Sequence, residues 1–99
     1  MKTIRDLDKS SLDAFYMLDQ AYPHGIPTSE YFPVLNLLYE YFSDRNLATL
    51  ISAINKVDSD IVINDIYASV STQNPSKQAV DSVRRKLELF DFHSICMDD

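Results

Sequence analysis

The only glycine of the chain and three of its four prolines fall inside one stretch, YPHGIPTSEYFPVL, from Tyr22 to Leu35. Tyr22-Pro23-His24-Gly25 puts proline second and glycine fourth in a tight turn, where a fixed φ and a missing side chain are respectively favoured. Pro27 then holds Ile26 in an extended conformation, so a helix arriving from the N-terminal side cannot run through. The stretch is a forced corner. Thr28 or Ser29 is placed to cap the helix that leaves it, and Glu30 adds negative charge where the helix dipole is positive. Pro33 lies four or five residues into that helix, where its missing N–H removes one hydrogen bond or leaves the first turn irregular.

Outside the corner, apolar residues recur at helical rather than alternating spacing. A first helix is expected from about Lys9 to Ala21, capped by Asp8 or Ser10, with Leu12, Phe15 and Tyr16 on one ladder that Asp19 interrupts and with Met17, Leu18 and Tyr22 widening the apolar face. After the corner, Tyr31, Val34, Leu35, Leu38, Tyr41 and Phe42 form a continuous stripe. Ser43 reads as the end of that helix and the cap of the next, whose face carries Leu47, Leu50, Ile51, Ile54 and Val57. Ile61 to Ile63 reads either as a short extended piece or as the lead-in to a helix capped by Asn64 and ending near Thr72 or Gln73. Asn74-Pro75 breaks the pattern, and Ser76 caps a last helix with Val80, Val83, Leu87 and Phe90 on its seam. The expected fold is all-α, a single compact bundle of about five helices. The 99 residues form one domain, with a core from about residue 9 to residue 92 and short tails.

A chain of this length buries roughly two thirds of its unfolded surface, so a core is feasible without a metal or disulfide. Hydrophobic residues at 45% and charged residues at 24% are ordinary globular values, which argues against wholesale disorder. The formal charge of −6 sets an average field that repels phosphate backbones and anionic lipid. Cys96 is the sole cysteine, so no intrachain disulfide forms and a cytoplasmic location is the expectation. The N-terminal stretch has no apolar h-region, and no segment approaches the roughly 20 apolar residues of a membrane span. Asn74-Pro75-Ser76 is closed to glycosylation by its middle proline.

The search for chemistry yields little. His24 and His93 belong to no nucleophile, zinc-protease or phosphate-cradle motif. His93-x-x-Cys96 with Asp98-Asp99 offers ligand types without the second pair a structural metal needs, and a loosely packed tail is the plainer reading. Asp58, Asp60 and Asp65 miss the calcium-loop pattern and read as loop and helix-start residues. No catalytic residue, metal ligand or cofactor is therefore expected, and an enzyme would need a deep polar pocket that the sequence does not announce. Two binding readings remain. Six tyrosines and no tryptophan favour contact surfaces that are apolar at one end and wet at the other, which singles out Tyr22, His24, Tyr31 and Tyr39 for a protein partner or self-association. Core packing with the hydroxyl at the rim explains most of them equally well, and His24 in a turn is equally a plain solvent-facing residue. Lys77, Arg84, Arg85 and Lys86 make the last helix basic and suit nucleic acid. The plainer account pairs Arg84 and Lys86 with Asp81 or Glu88 on a solvated face.

The order of features also carries a resemblance. Tyr-Pro-x-Gly-x-Pro at Tyr22 to Pro27, Tyr31 with Pro33, a Leu-rich helix, Ser43-Asp44, Asp65-Ile66, and Pro75-Ser76 before the Val80, Val83, Leu87 helix resemble the bacterial domain of unknown function family 3349. The resemblance covers about Leu12 to Phe92 and implies a compact helical fold in a cytoplasmic bacterial protein, with no assigned catalytic residues. Asp91-Phe92 stands where family members often carry a glycine and a tryptophan.

Overall fold

Helical periodicity and side-chain caps divide the chain into five helices in the computed structural model, which describes residues 9–90 and 92. They are α1 (Lys9–Ala21), α2 (Thr28–Leu38), α3 (Asp44–Asn55), α4 (Ser59–Ser69) and α5 (Lys77–Glu88). The first helix has the expected bounds, with Asp8 outside the described residues and Ser10 inside the helix and not before it; its buried face carries Ala14, Met17, Leu18 and Ala21, while Tyr16 of the expected ladder is exposed. Two later caps form as the sequence indicates. Ser43 Oγ accepts from the Asn46 amide at 3.2 Å and Ser76 Oγ from the Ala79 amide at 3.1 Å, each satisfying a donor that the helix itself leaves open.

Four local expectations are corrected. Neither Thr28 nor Ser29 caps α2; the flanking residue is Pro27, extended at φ −68° and ψ 156°, with no side-chain cap bond. Helix α2 also stops at Leu38 instead of running on to Ser43, because the Tyr41 amide bonds the Leu38 carbonyl three residues back and tightens the chain into a turn. That turn brings Tyr41 edge-on to Phe92, with centroids 5.7 Å apart and planes at 89°. Helix α4 begins at Ser59, with Asp58 Oδ1 accepting from the Asp60 amide, so residues 61–63 are helical and Asn64 is mid-helix. It ends at Ser69, where Ser69 Oγ bonds the Ile66 carbonyl and Asn36 Nδ2 reaches across to the Ser69 carbonyl at 2.9 Å. Val57 drops off the α3 stripe because Lys56 turns left-handed (φ 57°) and ends the helix before it.

Pro33 sits inside α2 and is buried. It leaves the Ser29 carbonyl without its usual donor, at a residue exposed to water that can replace it. Within α2, Val34, Leu35, Leu37 and Leu38 are all buried, including Leu37, which lies off the stripe read from the sequence. Packing order explains this. The principal helix contacts run α1 to α3, α3 to α4, α4 to α2, α2 to α5 and α5 back to α1, a closed ring in which α2 is covered from two directions. The Cα radius of gyration of 12.2 Å is close to the ~13 Å of a compact 100-residue chain.

Candidate functional site

The corner between α1 and α2 is fastened to the end of α3. The Gly25 amide bonds the Tyr22 carbonyl at 3.0 Å, and Gly25 takes φ +91°, a conformation that side chains disfavour. A Cβ at Gly25 would lie 3.3 Å from Asn55 Oδ1. That oxygen accepts from the buried Ile26 amide at 2.8 Å, while Asn55 Nδ2 donates to the Ile26 carbonyl at 3.5 Å. The glycine thus lets a side-chain amide from α3 substitute for the backbone partners that Ile26 lost when the helix was broken.

One side of the corner is closed by charge. The Tyr22 ring is buried, and its hydroxyl donates to Glu30 Oε1 at 2.8 Å. Lys86 Nζ, from α5, lies 3.5 Å from the same oxygen and 4.2 Å from the centre of the Tyr22 ring. Burial, then the bond to Glu30, then its negative charge push the Tyr22 hydroxyl well above the usual phenol range.

The other side is open. A cleft of about 570 Å³ lies between the end of α1, the corner and the end of α3, lined by Phe15, Asp19, Tyr22, His24, Asn55 and Lys56 among others. Asp19, His24 and Lys56 are exposed, and none of them forms an ion pair or side-chain hydrogen bond among the described residues.

Of the four tyrosine and histidine positions singled out for a partner, the structure brings only Tyr22 and His24 together, at this cleft. Tyr31 is half-buried on α2, where its hydroxyl donates to Asp65 Oδ2 of α4 at 2.8 Å. Burial, then that bond, then the Asp65 charge raise its pKa in the same way. Tyr39 is exposed just beyond α2, near Tyr67 of α4, whose hydroxyl donates to Asp44 Oδ2 at 2.7 Å. In the basic helix, Lys86 pairs with Glu30 and not within α5, and the Arg84 guanidinium stands 5.9 Å from the Phe92 ring centre. Lys77 and Arg85 are exposed.

Phe15, Asp19, Asn55 and Lys56 are cleft residues that sequence reasoning passed over as site residues. Nothing local marks them: Asp19 lies on the exposed face of α1, whose buried face runs through Ala14, Met17, Leu18 and Ala21. Among the described residues, no group of three or more histidines, cysteines or carboxylates is placed to hold a metal ion. His93, Cys96, Asp98 and Asp99 lie outside the described residues. No described helix is long and apolar enough to cross a membrane.

No curated protein and no solved structure matches the chain. A family model described as protein of unknown function (DUF3349) matches residues 13–94, which takes in the corner, the cleft and the ring of helices. The chain therefore belongs to the DUF3349 family, and the corner with its cleft is its candidate site.

Proposed function

We propose that this protein is a non-catalytic, cytoplasmic binding module that acts through contact with another protein or with its own copy. The observation behind this reading is the exposure of large apolar side chains on α4, in the turn before it and just beyond the end of α2. Tyr39 is 37% exposed, Val57 40%, Ile61 56% and Tyr67 47%. Isolated exposed apolar residues are normal, but Val57, Ile61 and Tyr67 on α4 and its approach, with Tyr39 near Tyr67, suit a contact surface. Aromatic residues with a wet hydroxyl, such as Tyr39 and Tyr67, are the type that interfaces favour.

Light scattering coupled to size exclusion, over rising protein concentration, is expected to show self-association, or a photoreactive residue at position 61 to cross-link a defined partner. Val57→Lys with Ile61→Lys should abolish either result while the circular dichroism stays helical. A strict monomer with no cross-linked partner would sink the reading. The same run with duplex DNA tests the nucleic-acid alternative. A shift at low salt, lost in Lys77→Glu with Arg85→Glu, would transfer the function to α5.

A further inference from the structure

Helix α4 keeps one face out of the ring. It packs on α3 and α2 through a side that buries Val62, Ile66 and Ser69. Asp60, Ile61, Asn64 and Tyr67 are exposed, and their spacing of three and four places them together on the opposite side. Tyr67 is exposed but not loose. Its ring is 47% exposed, while its hydroxyl donates to Asp44 Oδ2 of α3 at 2.7 Å. An aromatic side chain held by a second element before contact gives up little freedom when a partner covers it.

The charge around this face decides what suits it. Asp58 caps α4 and Asp60 follows in its first turn, and from Val57 to Ser76 the chain carries no lysine or arginine. The open end of a helix offers only about half a positive charge, so the two carboxylates leave the start of α4 negative. Neither forms an ion pair among the described residues. Of the nearest cations in sequence, Arg45 adjoins Asp44, and Lys56 follows the carbonyl end of α3, whose dipole already offsets it. The formal charge of −6 makes a second copy approach against repulsion. Helix α5, the most basic described helix, is no exception, since it mixes exposed Lys77 and Arg85 with exposed Glu88. A cationic partner is attracted both by the whole chain and by this end of α4.

We propose that the outer face of α4 docks a basic amphipathic helix of another protein, whose apolar side covers Ile61 and Tyr67 and whose lysines or arginines meet Asp58 and Asp60. About three turns of partner helix span the face, since the 11 residues of α4 rise about 1.5 Å each. This inference rests on the contact-surface reading and narrows it, because the partner is a different protein and is selected by its charge.

The test is an amide-resolved NMR titration of the intact chain with synthetic helical peptides of about four turns. One carries leucine on one side and lysine on the other, one has glutamate in place of lysine, and one has serine in place of leucine. The expected result is saturable shifts at Ile61, Asn64 and Tyr67 with the first peptide alone. Asp58→Asn with Asp60→Asn, which keeps a capping oxygen, should weaken that binding roughly tenfold or more, as should Ile61→Ser. Glu88→Gln, on α5, should leave it unchanged. The proposal is overturned by an absence of shifts on α4 or by equal binding of the glutamate peptide. It is overturned as well if Glu88→Gln weakens binding as much as the α4 pair, since net charge alone would then account for it. The contact-surface reading fails separately, when position 61 cross-links nothing and the chain stays monomeric. A partner cross-linked there regardless of its charge would keep that reading and sink this one.

Discussion

On one side of the corner the ammonium of Lys86, the carboxylate of Glu30 and the ring of Tyr22 close on one another. On the other, Asp19, His24 and Lys56 line a cleft and engage no partner among the described residues. Tyr22 belongs to both, since its ring forms part of the cleft wall while its hydroxyl and one cation contact are committed to the closed side. The difference separates two uses of charge in an acidic protein. Where a carboxylate, a cation and a phenol meet at a buried ring, they tie three elements together. Where charged side chains stand exposed around a cleft, as Asp19, His24 and Lys56 do, they tie no elements together.

The largest effect expected from breaking this contrast is that of Tyr22→Ala. It removes a buried aromatic ring with its hydroxyl bond to Glu30 and its contact with Lys86, for a loss of about 3–5 kcal/mol in chemical denaturation. Asp19→Ala on the open side should stay within about 0.5 kcal/mol of the parent. Equal losses would show that the two sides are not distinct. Gly25→Ala comes next. A side chain at φ +91°, 3.3 Å from Asn55 Oδ1, is expected to cost about 1–3 kcal/mol, and hydrogen exchange should report a faster Ile26 amide as the Asn55 clamp loosens.

Alkaline titration sharpens the comparison further. The Tyr22 and Tyr31 hydroxyls are held above their ordinary value of 10.0, so above that pH the unfolded chain gives up protons that the folded chain keeps. Stability is therefore full below about pH 10 and falls as pH rises beyond it. Tyr22→Phe with Tyr31→Phe should flatten the fall in melting temperature between about pH 10 and 11, and phenolate absorbance in the parent should appear in step with unfolding. The smallest effect is that of Lys86→Met. Lys86 and Glu30 are 38% and 31% exposed, so solvent screening reduces their pairing, and the loss should be about 0.5–1 kcal/mol and shrink in high salt.

The parts of this fold that could be read from the sequence are the parts decided locally. The bounds of α1, the caps at Ser43 and Ser76, and the turn at Gly25 each depend on residues within one helical turn of each other, and each has a short-range chemical signature. The errors lie where a distant contact overrides the local pattern. The stripe that includes Tyr41 and Phe42 predicts a longer α2, but docking of Tyr41 on Phe92 favours the turn instead. Asn64 is an acceptable cap, yet Asp58 is available earlier, and starting there puts Val62 and Ile66 into the core. Charge was read along single helices, so Lys86 was matched to neighbours in α5 and not to Glu30. The same limit hid most of the cleft. Asp19 and Lys56 line one cleft because α1 packs against α3, which no local signal encodes.

The ring of helices bears on how the chain reaches its fold. Among the principal contacts, only α3 and α4 are neighbours both in sequence and in space. Neither α1 nor α2 has its main partners until later segments exist, because α1 packs on α3 and α5 and α2 on α4 and α5. Such wiring places the entropic cost of closing long loops before most of the hydrophobic gain. Folding is expected to begin at the α3–α4 pair and to finish as a single cooperative step when α5 arrives. A fragment ending at Asn74 should accordingly give the NMR spectrum of a loosely ordered chain. On the ribosome, these helices would remain uncommitted until α5 had been made.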